Sequence, residues 1–161
     1  MKDQEKMCIG KNLGLLALAA VLISFSTGSA YAITIKGNII NMDEAKVYTA
    51  ADSYLQLVAI PAGGGIKVKA SGGRYTYESD LPQTKMPKTG TFSISAPELK
   101  PGRYIIVGQK LEGFDRSMGG GHFLVRKSER KTLEIEVKAG EDKSTIDIGE
   151  VYIPVPNSKH F

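Results

Sequence analysis

From Ile33 onward the chain alternates apolar and polar residues at a period of two, and no stretch holds an apolar 3.6-residue period long enough to specify a helix. The clearest case is Thr132 to Lys138. Leu133, Ile135 and Val137 share one parity there and Glu134, Glu136 and Lys138 the other, which predicts a strand wet on one side. Thr91 to Ser95 repeats the pattern with Phe92 and Ile94, and Ile66 and Val68 alternate with Lys67 and Lys69. Further strands are predicted at Thr34 to Ile40, Leu55 to Ile60, Arg74 to Glu78, Tyr104 to Gly108, Phe123 to Arg126 and Ile146 to Ile153. Leu57 to Ile60 and Tyr104 to Val107 are continuous apolar runs, as expected of strands covered on both faces. In the last segment Ile146 and Ile148 have one parity and Val151 and Ile153 the other, which predicts a bulge at Gly149.

Turn residues separate these runs: Pro61 to Gly65, Ser71-Gly72-Gly73, Pro101-Gly102, Gly119 to Gly121 and Ala139 to Asp142. Many short strands with such turns predict an all-β fold, a sandwich ahead of a barrel or a parallel sheet. Two longer connections stand out. Asn41 to Tyr54 is expected to hold a short helical turn around Asp43-Glu44-Ala45, and Ser79 to Lys88, with Pro82 and Pro87, is expected to be an irregular loop. The end of the chain, residues 154–161, reads as an extended, frayed tail after a domain spanning 33–153.

The amino-terminal segment changes the picture of where the protein works. Lys2, Lys6 and Lys11 precede an apolar run from Leu13 to Phe25, and small residues ending in Ala30-Tyr31-Ala32 follow it. This is the pattern of a secretory signal peptide over 1–32, with cleavage expected after Ala32. The run is shorter than the roughly 20 apolar residues that span a bilayer, so no membrane span is expected after cleavage. Removing 32 residues from 161 leaves 129, enough for one domain with its own core. The only cysteine, Cys8, leaves with the signal, so the core and not a disulfide must hold the exported fold, in the periplasm or outside the cell.

Loss of three lysines, one aspartate and one glutamate takes the formal charge from +4 to +3. Acids and bases are interleaved, and the tract Arg126 to Lys131 reads as a solvated turn, so no nucleic-acid partner is expected. Candidate chemistry is sparse. His122 and His160 are the only histidines, and no motif supplies a nucleophile and an orienting acid for either. Gly119-Gly120-Gly121-His122 lacks the lysine and hydroxyl residue of a phosphate loop. Asp142, Asp147 and Glu150 do not match a calcium-loop spacing. Neither a metal nor any other cofactor is expected, and the reading is of a protein that is not an enzyme.

The run Thr89-Gly90-Thr91-Phe92-Ser93-Ile94, followed by Leu99-Lys100-Pro101-Gly102-Arg103-Tyr104, resembles the G-x-F and L-x-P-G-x-Y hallmarks of the carboxypeptidase regulatory-like domain, also called the transthyretin-like or collagen-adhesin B-type module. Ile35 to Ile39 and Ile146 to Val151 look like its first and last strands. The resemblance implies a prealbumin-like antiparallel β-sandwich of about seven strands, a fold that hosts many unrelated functions. Relatives with hydrolase activity end in Tyr-Arg-Gly-Ser, whereas this chain ends Ser158-Lys159-His160-Phe161. An adhesin-type isopeptide bond would have to join Lys36 to Asn157, but Lys36 alternates with Ile35 and so is expected to face water.

The departure from the family pattern is an inserted hairpin, Ile66 to Glu78, which carries Lys67, Lys69, Arg74, Tyr75 and Tyr77. Insertions are where a scaffold acquires its own partner. These five residues are the candidate partner-binding site of an exported non-catalytic module for protein contact or structural spacing in the cell envelope. A protein or peptide is expected ahead of a glycan, because tryptophan, the best sugar platform, is absent. A carbohydrate-binding role would use Tyr75 and Tyr77, with Tyr54 or Phe114, as substitutes. The competing reading is that the tyrosines pack on the core.

Overall fold

The computed structural model describes residues 31–71, 74–111, 122–127, 131–140, 144–156 and 158–159; for 31, 32, 70, 71, 74 and 75 it describes the backbone alone. The described residues form an all-β sandwich with one short helix. The strands are β1 (Tyr31–Ile39), β2 (Thr49–Ile60), β3 (Val68–Ser71), β4 (Arg74–Tyr77), β5 (Gln83–Lys85), β6 (Thr91–Leu99), β7 (Gly102–Leu111), β8 (His122–Phe123), β9 (Val125–Arg126), β10 (Ile135–Val137) and β11 (Thr145–Tyr152). Helix α1 (Met42–Ala45) and a 3-10 turn (Lys46–Tyr48) follow β1, at the expected helical turn.

One sheet runs β6-β1-β11-β9 and the other β10-β7-β2-β5, with β8 also on β7. Strands β3 and β4 form a separate two-stranded sheet. Pairing is antiparallel except between β1 and β11, which are parallel. Alternation decides which side chains meet between the sheets. Ile33, Ile35, Phe92, Ile94, Leu55, Leu57, Tyr104 and Ile106 point inward and are at least nine-tenths buried, together with Leu133, Ile135 and Val137 from the clearest alternating run.

Gly90, the Pro101-Gly102 turn and Gly149 act as their chemistry requires. Gly90 has φ +97°, and a Cβ there would strike the Ile39 carbonyl oxygen, so only glycine lets the chain turn into β6 beside β1. The Tyr104 hydroxyl donates back to the Lys100 carbonyl across the Pro101-Gly102 turn, tying the start of β7 to the end of β6. At Gly149 (φ +69°) the β1–β11 register slips: Lys36 faces Asp147 while Asn38 faces Glu150, so Ile148 and Gly149 share one partner position. This is the expected bulge, and it returns Val151 and Ile153 to the core.

Several features differ from the sequence reading: the expected strand Phe123 to Arg126 is split into β8 on one sheet and β9 on the other, and the tail is anchored, with Val155 in the core and the Ser158 hydroxyl donating to the Glu44 carboxylate. Strand β2 starts at Thr49, so the connection after β1 is shorter than expected. The Ser79 to Lys88 stretch holds β5, whose three residues pair with Tyr54, Leu55 and Gln56. A strand that short has no readable alternation and exists because β2 offers it an edge. Finally, four residues of β2, 50–53, stand opposite Lys110 alone. Lys110 takes φ 56°, and the buried Ser53 hydroxyl stitches the bulge by donating to the Lys110 carbonyl and accepting from the Ala50 N–H, both at 2.8 Å.

Candidate functional site

The inserted hairpin exists as β3 and β4, with Val68 opposite Tyr77, Lys69 opposite Thr76, Ala70 opposite Tyr75 and Ser71 opposite Arg74. An isolated two-stranded hairpin is only marginally stable in water, so something must hold it. The outer face of the β2–β7 sheet does so. There Val58, Ile105 and Val107 make a second apolar cluster with Tyr77, flanked by Ile60, Ile66 and Phe123. The Tyr77 and Phe123 rings lie 5.2 Å apart, inclined by 53°. Each large side chain buried this way contributes about 1.5–3 kcal/mol, enough to dock a hairpin of this size.

Polar contacts set the hairpin's position. Gln109, 1% exposed, receives the Tyr77 N–H on its Oε1 at 3.2 Å and donates from Nε2 to the Tyr77 carbonyl at 2.9 Å. One side chain thus reproduces both bonds of a β-ladder rung. Gln56, on the same face, donates to the Leu81 carbonyl, and the Ser79 hydroxyl donates to the Leu57 carbonyl at 2.7 Å. The segment from Tyr77 to Pro82 is therefore clamped along the sheet.

The five candidate residues separate on this frame. Lys67 and Lys69 are exposed, with Val68 between them 47% exposed. Among the described residues no acidic side chain makes a salt bridge with either lysine. Tyr77 is 8% exposed, and burial pushes its phenol pKa up. Its ring belongs to the packing that docks the hairpin, so it offers no exposed platform for a sugar. The side chains of Arg74 and Tyr75 lie outside the described residues. Of the other aromatic candidates, Tyr54 is half-buried with the Lys110 ammonium 5.8 Å above its ring, and Phe114 lies outside the described residues. Gln109 and Phe123, which position the hairpin, carry no sequence signal beyond a polar and an aromatic residue in strands.

Sites elsewhere are poor in chemistry. His122 is half-buried on β8, and burial lowers its imidazole to about 4, which makes it a weak proton acceptor near neutral pH. Among the described residues no three histidine, cysteine, aspartate or glutamate side chains lie close enough together to hold a metal ion, and no helix is long and apolar enough to cross a membrane. Lys36 is exposed, and Asn157 and His160 lie outside the described residues. So do Cys8, the signal segment through Ala30 and the Gly119 to Gly121 run; β1 begins at Tyr31, two residues ahead of the expected mature terminus. No family model, curated protein or solved structure matches this chain.

Proposed function

We propose that this protein is an exported, non-catalytic β-sandwich module of the carboxypeptidase regulatory-like type that presents the β3–β4 hairpin to a protein or peptide partner in the cell envelope. The observation that carries the reading is the mounting of the hairpin. Tyr77 and Gln109 hold it on the outer face of the sheet, and Lys67, Val68 and Lys69 stand out to solvent. A fixed element loses little conformational entropy on binding, and two lysines of one parity, side by side on the face turned away from Tyr77, suit an acidic partner surface. The motif residues Gly90, Phe92, Pro101, Gly102 and Tyr104 turn and fill the core as the family resemblance requires, which supports assigning the scaffold to that type. Burial of Tyr77 weighs against a glycan, since it removes one of the two rings a sugar would stack on.

The test is retention of envelope proteins, and of polysaccharides in parallel, on immobilised protein and on its Lys67→Glu/Lys69→Glu variant. A protein partner held by the parent, released by salt and lost with the variant at unchanged melting temperature is the expected result. Undiminished retention by the variant would remove the hairpin as the site, and retention of polysaccharide alone would replace the protein partner with a glycan.

A further inference from the structure

The docked hairpin has two edges, and Gln109 closes one of them. The Glu78 N–H donates to the Lys67 carbonyl at 3.0 Å, which marks a hydrogen-bonded rung between the two arms of the hairpin. Counting in twos along the register, Lys69–Thr76 and Ser71–Arg74 are rungs of the same kind, and Val68–Tyr77 and Ala70–Tyr75 are the pairs between them. The backbone groups of Tyr75 and Tyr77 therefore turn out of the hairpin on the β4 side, and those of Val68 and Ala70 on the β3 side. The two bonds from Gln109 to the Tyr77 peptide groups agree with this alternation. The β3 edge has no such cover. Among the described residues no strand other than β4 pairs with it, and no backbone hydrogen bond from another element reaches Val68 or Ala70.

The side chains along this edge decide what it accepts. Lys67 and Lys69 are exposed, share one face, and make no salt bridge among the described residues. Val68 is exposed on the other face, the one that Tyr77 shares. Lysines on an edge strand are a device against self-pairing. A second β3 laid antiparallel on the first would set Lys67 against Lys69, or Lys69 against its own counterpart. The same lysines admit a strand that carries acids opposite them, so the edge rejects its own kind and selects for charge.

We infer that the β3 edge takes an extended acid–apolar–acid segment of the partner as a third, antiparallel strand of the hairpin, its two carboxylates opposite Lys67 and Lys69 and its apolar residue opposite Val68. This rests on the reading of the hairpin as the partner site and adds how the partner is held. Val68 exchanges both backbone hydrogen bonds with the apolar residue. Lys67 and Lys69 then fall at the positions without hydrogen bonds, where opposed side chains approach most closely and each carboxylate meets an ammonium group. The period of two puts both acids on the lysine face and turns the apolar residue to the face of Val68, whose exposed side chain it covers. Main-chain bonds supply the affinity and the lysines the choice.

The probe is the synthetic peptide acetyl-Val-Glu-Val-Glu-Thr-amide, titrated into the isotope-labelled protein and followed by its amide resonances. The expected result is saturable shifts centred on Val68 to Ala70, with a dissociation constant of about 100 μM. Methylating the nitrogen of the central valine, whose N–H bonds to the Val68 carbonyl, is expected to weaken binding about tenfold or more. Methylating the nitrogen of the first glutamate, whose N–H points away from β3, is expected to leave it within about twofold. Ala70→Pro removes an outward donor that the hairpin itself does not use, so it is expected to weaken binding as much as the valine methyl does, at unchanged melting temperature. Binding lost with Lys67→Glu/Lys69→Glu but indifferent to both methylations overturns the strand pairing and leaves the hairpin standing as a charged partner site. No shifts at about 1 mM peptide overturn the inference as well, and the retention of envelope proteins then decides the reading of the hairpin separately.

Discussion

The two faces of the β2–β7 sheet are buried by different means. The inner face meets the opposite sheet through Leu55, Leu57, Tyr104 and Ile106, which belong to the larger apolar cluster. The outer face is covered by a hairpin that has no core of its own, and beside Val58, Ile105 and Val107 it carries two buried glutamines, Gln56 and Gln109, each spent on the backbone of the segment above. Apolar burial is non-directional and holds the hairpin down without choosing where it sits. The hydrogen bonds of Gln109 choose, because a slip of one residue would leave its amide and the Tyr77 peptide groups buried and unpaired. Stability therefore belongs chiefly to the inner face, and placement of the candidate binding element to the outer.

The largest test of that contrast is Phe92→Ala, which empties space in the inner core and is expected to cost about 3–5 kcal/mol in denaturant unfolding. A loss below about 1 kcal/mol would mean that the inner layer is not the seat of stability. Next comes Gln109→Leu, which keeps the outer face apolar but strands the Tyr77 N–H and carbonyl, at about 2 kcal/mol. Amide hydrogen exchange separates placement from stability: Thr76 to Glu78 are expected to exchange faster while Ile35 and Ile94 are protected as before. Equal loss of protection in both places would make the two faces one cooperative unit.

The smallest effect concerns pH. His122 precedes Phe123 on β8 and lies opposite Gly108, and its imidazole is lowered to about 4 from the ordinary 6.5. Between those values the unfolded chain takes up a proton that the folded one refuses, so stability is complete above about pH 6.5 and declines as pH falls toward 4. The ring is half-buried, and the loss is expected to be about 1–2 kcal/mol, less than the full displacement would imply. Thermal unfolding across that window, with His122→Gln as the variant that flattens the dependence, measures it. An equally steep profile in the variant would place the titration elsewhere.

Much of this organisation could be read from residues near one another in the chain. Leu133, Ile135 and Val137 are buried and Glu134, Glu136 and Lys138 exposed, as their alternation requires, because side chains of one parity in a strand must share a face. The change of parity after Ile148 was legible as a bulge because Gly149 stands where the backbone needs a positive φ. The unbroken runs Leu57 to Ile60 and Tyr104 to Val107 announced strands covered on both faces, which holds for Tyr104 to Val107 and for Leu57-Val58, while Ala59 is exposed and Ile60 half-buried. What those runs did not announce was their cover. The alternation of Tyr75 and Tyr77 with Arg74 and Thr76 suits a solvent-facing hairpin as well as a docked one, and only the sheet beneath decided that Tyr77 is buried.

Sequence by itself determined the all-β class, the main inward faces and the turns at Gly90, Pro101-Gly102 and Gly149, since all of these follow from local sterics and a period of two. Tertiary structure decided the parallel pairing of β1 with β11, the short strand β5 and the bonds of Gln109 to Tyr77 and of the buried Asn41 side chain to both backbone groups of Ile153. Each of these joins residues far apart in the chain. A glutamine or asparagine reads as surface until the partner that satisfies it arrives, because burying its amide is costly without hydrogen bonds and tolerable with them.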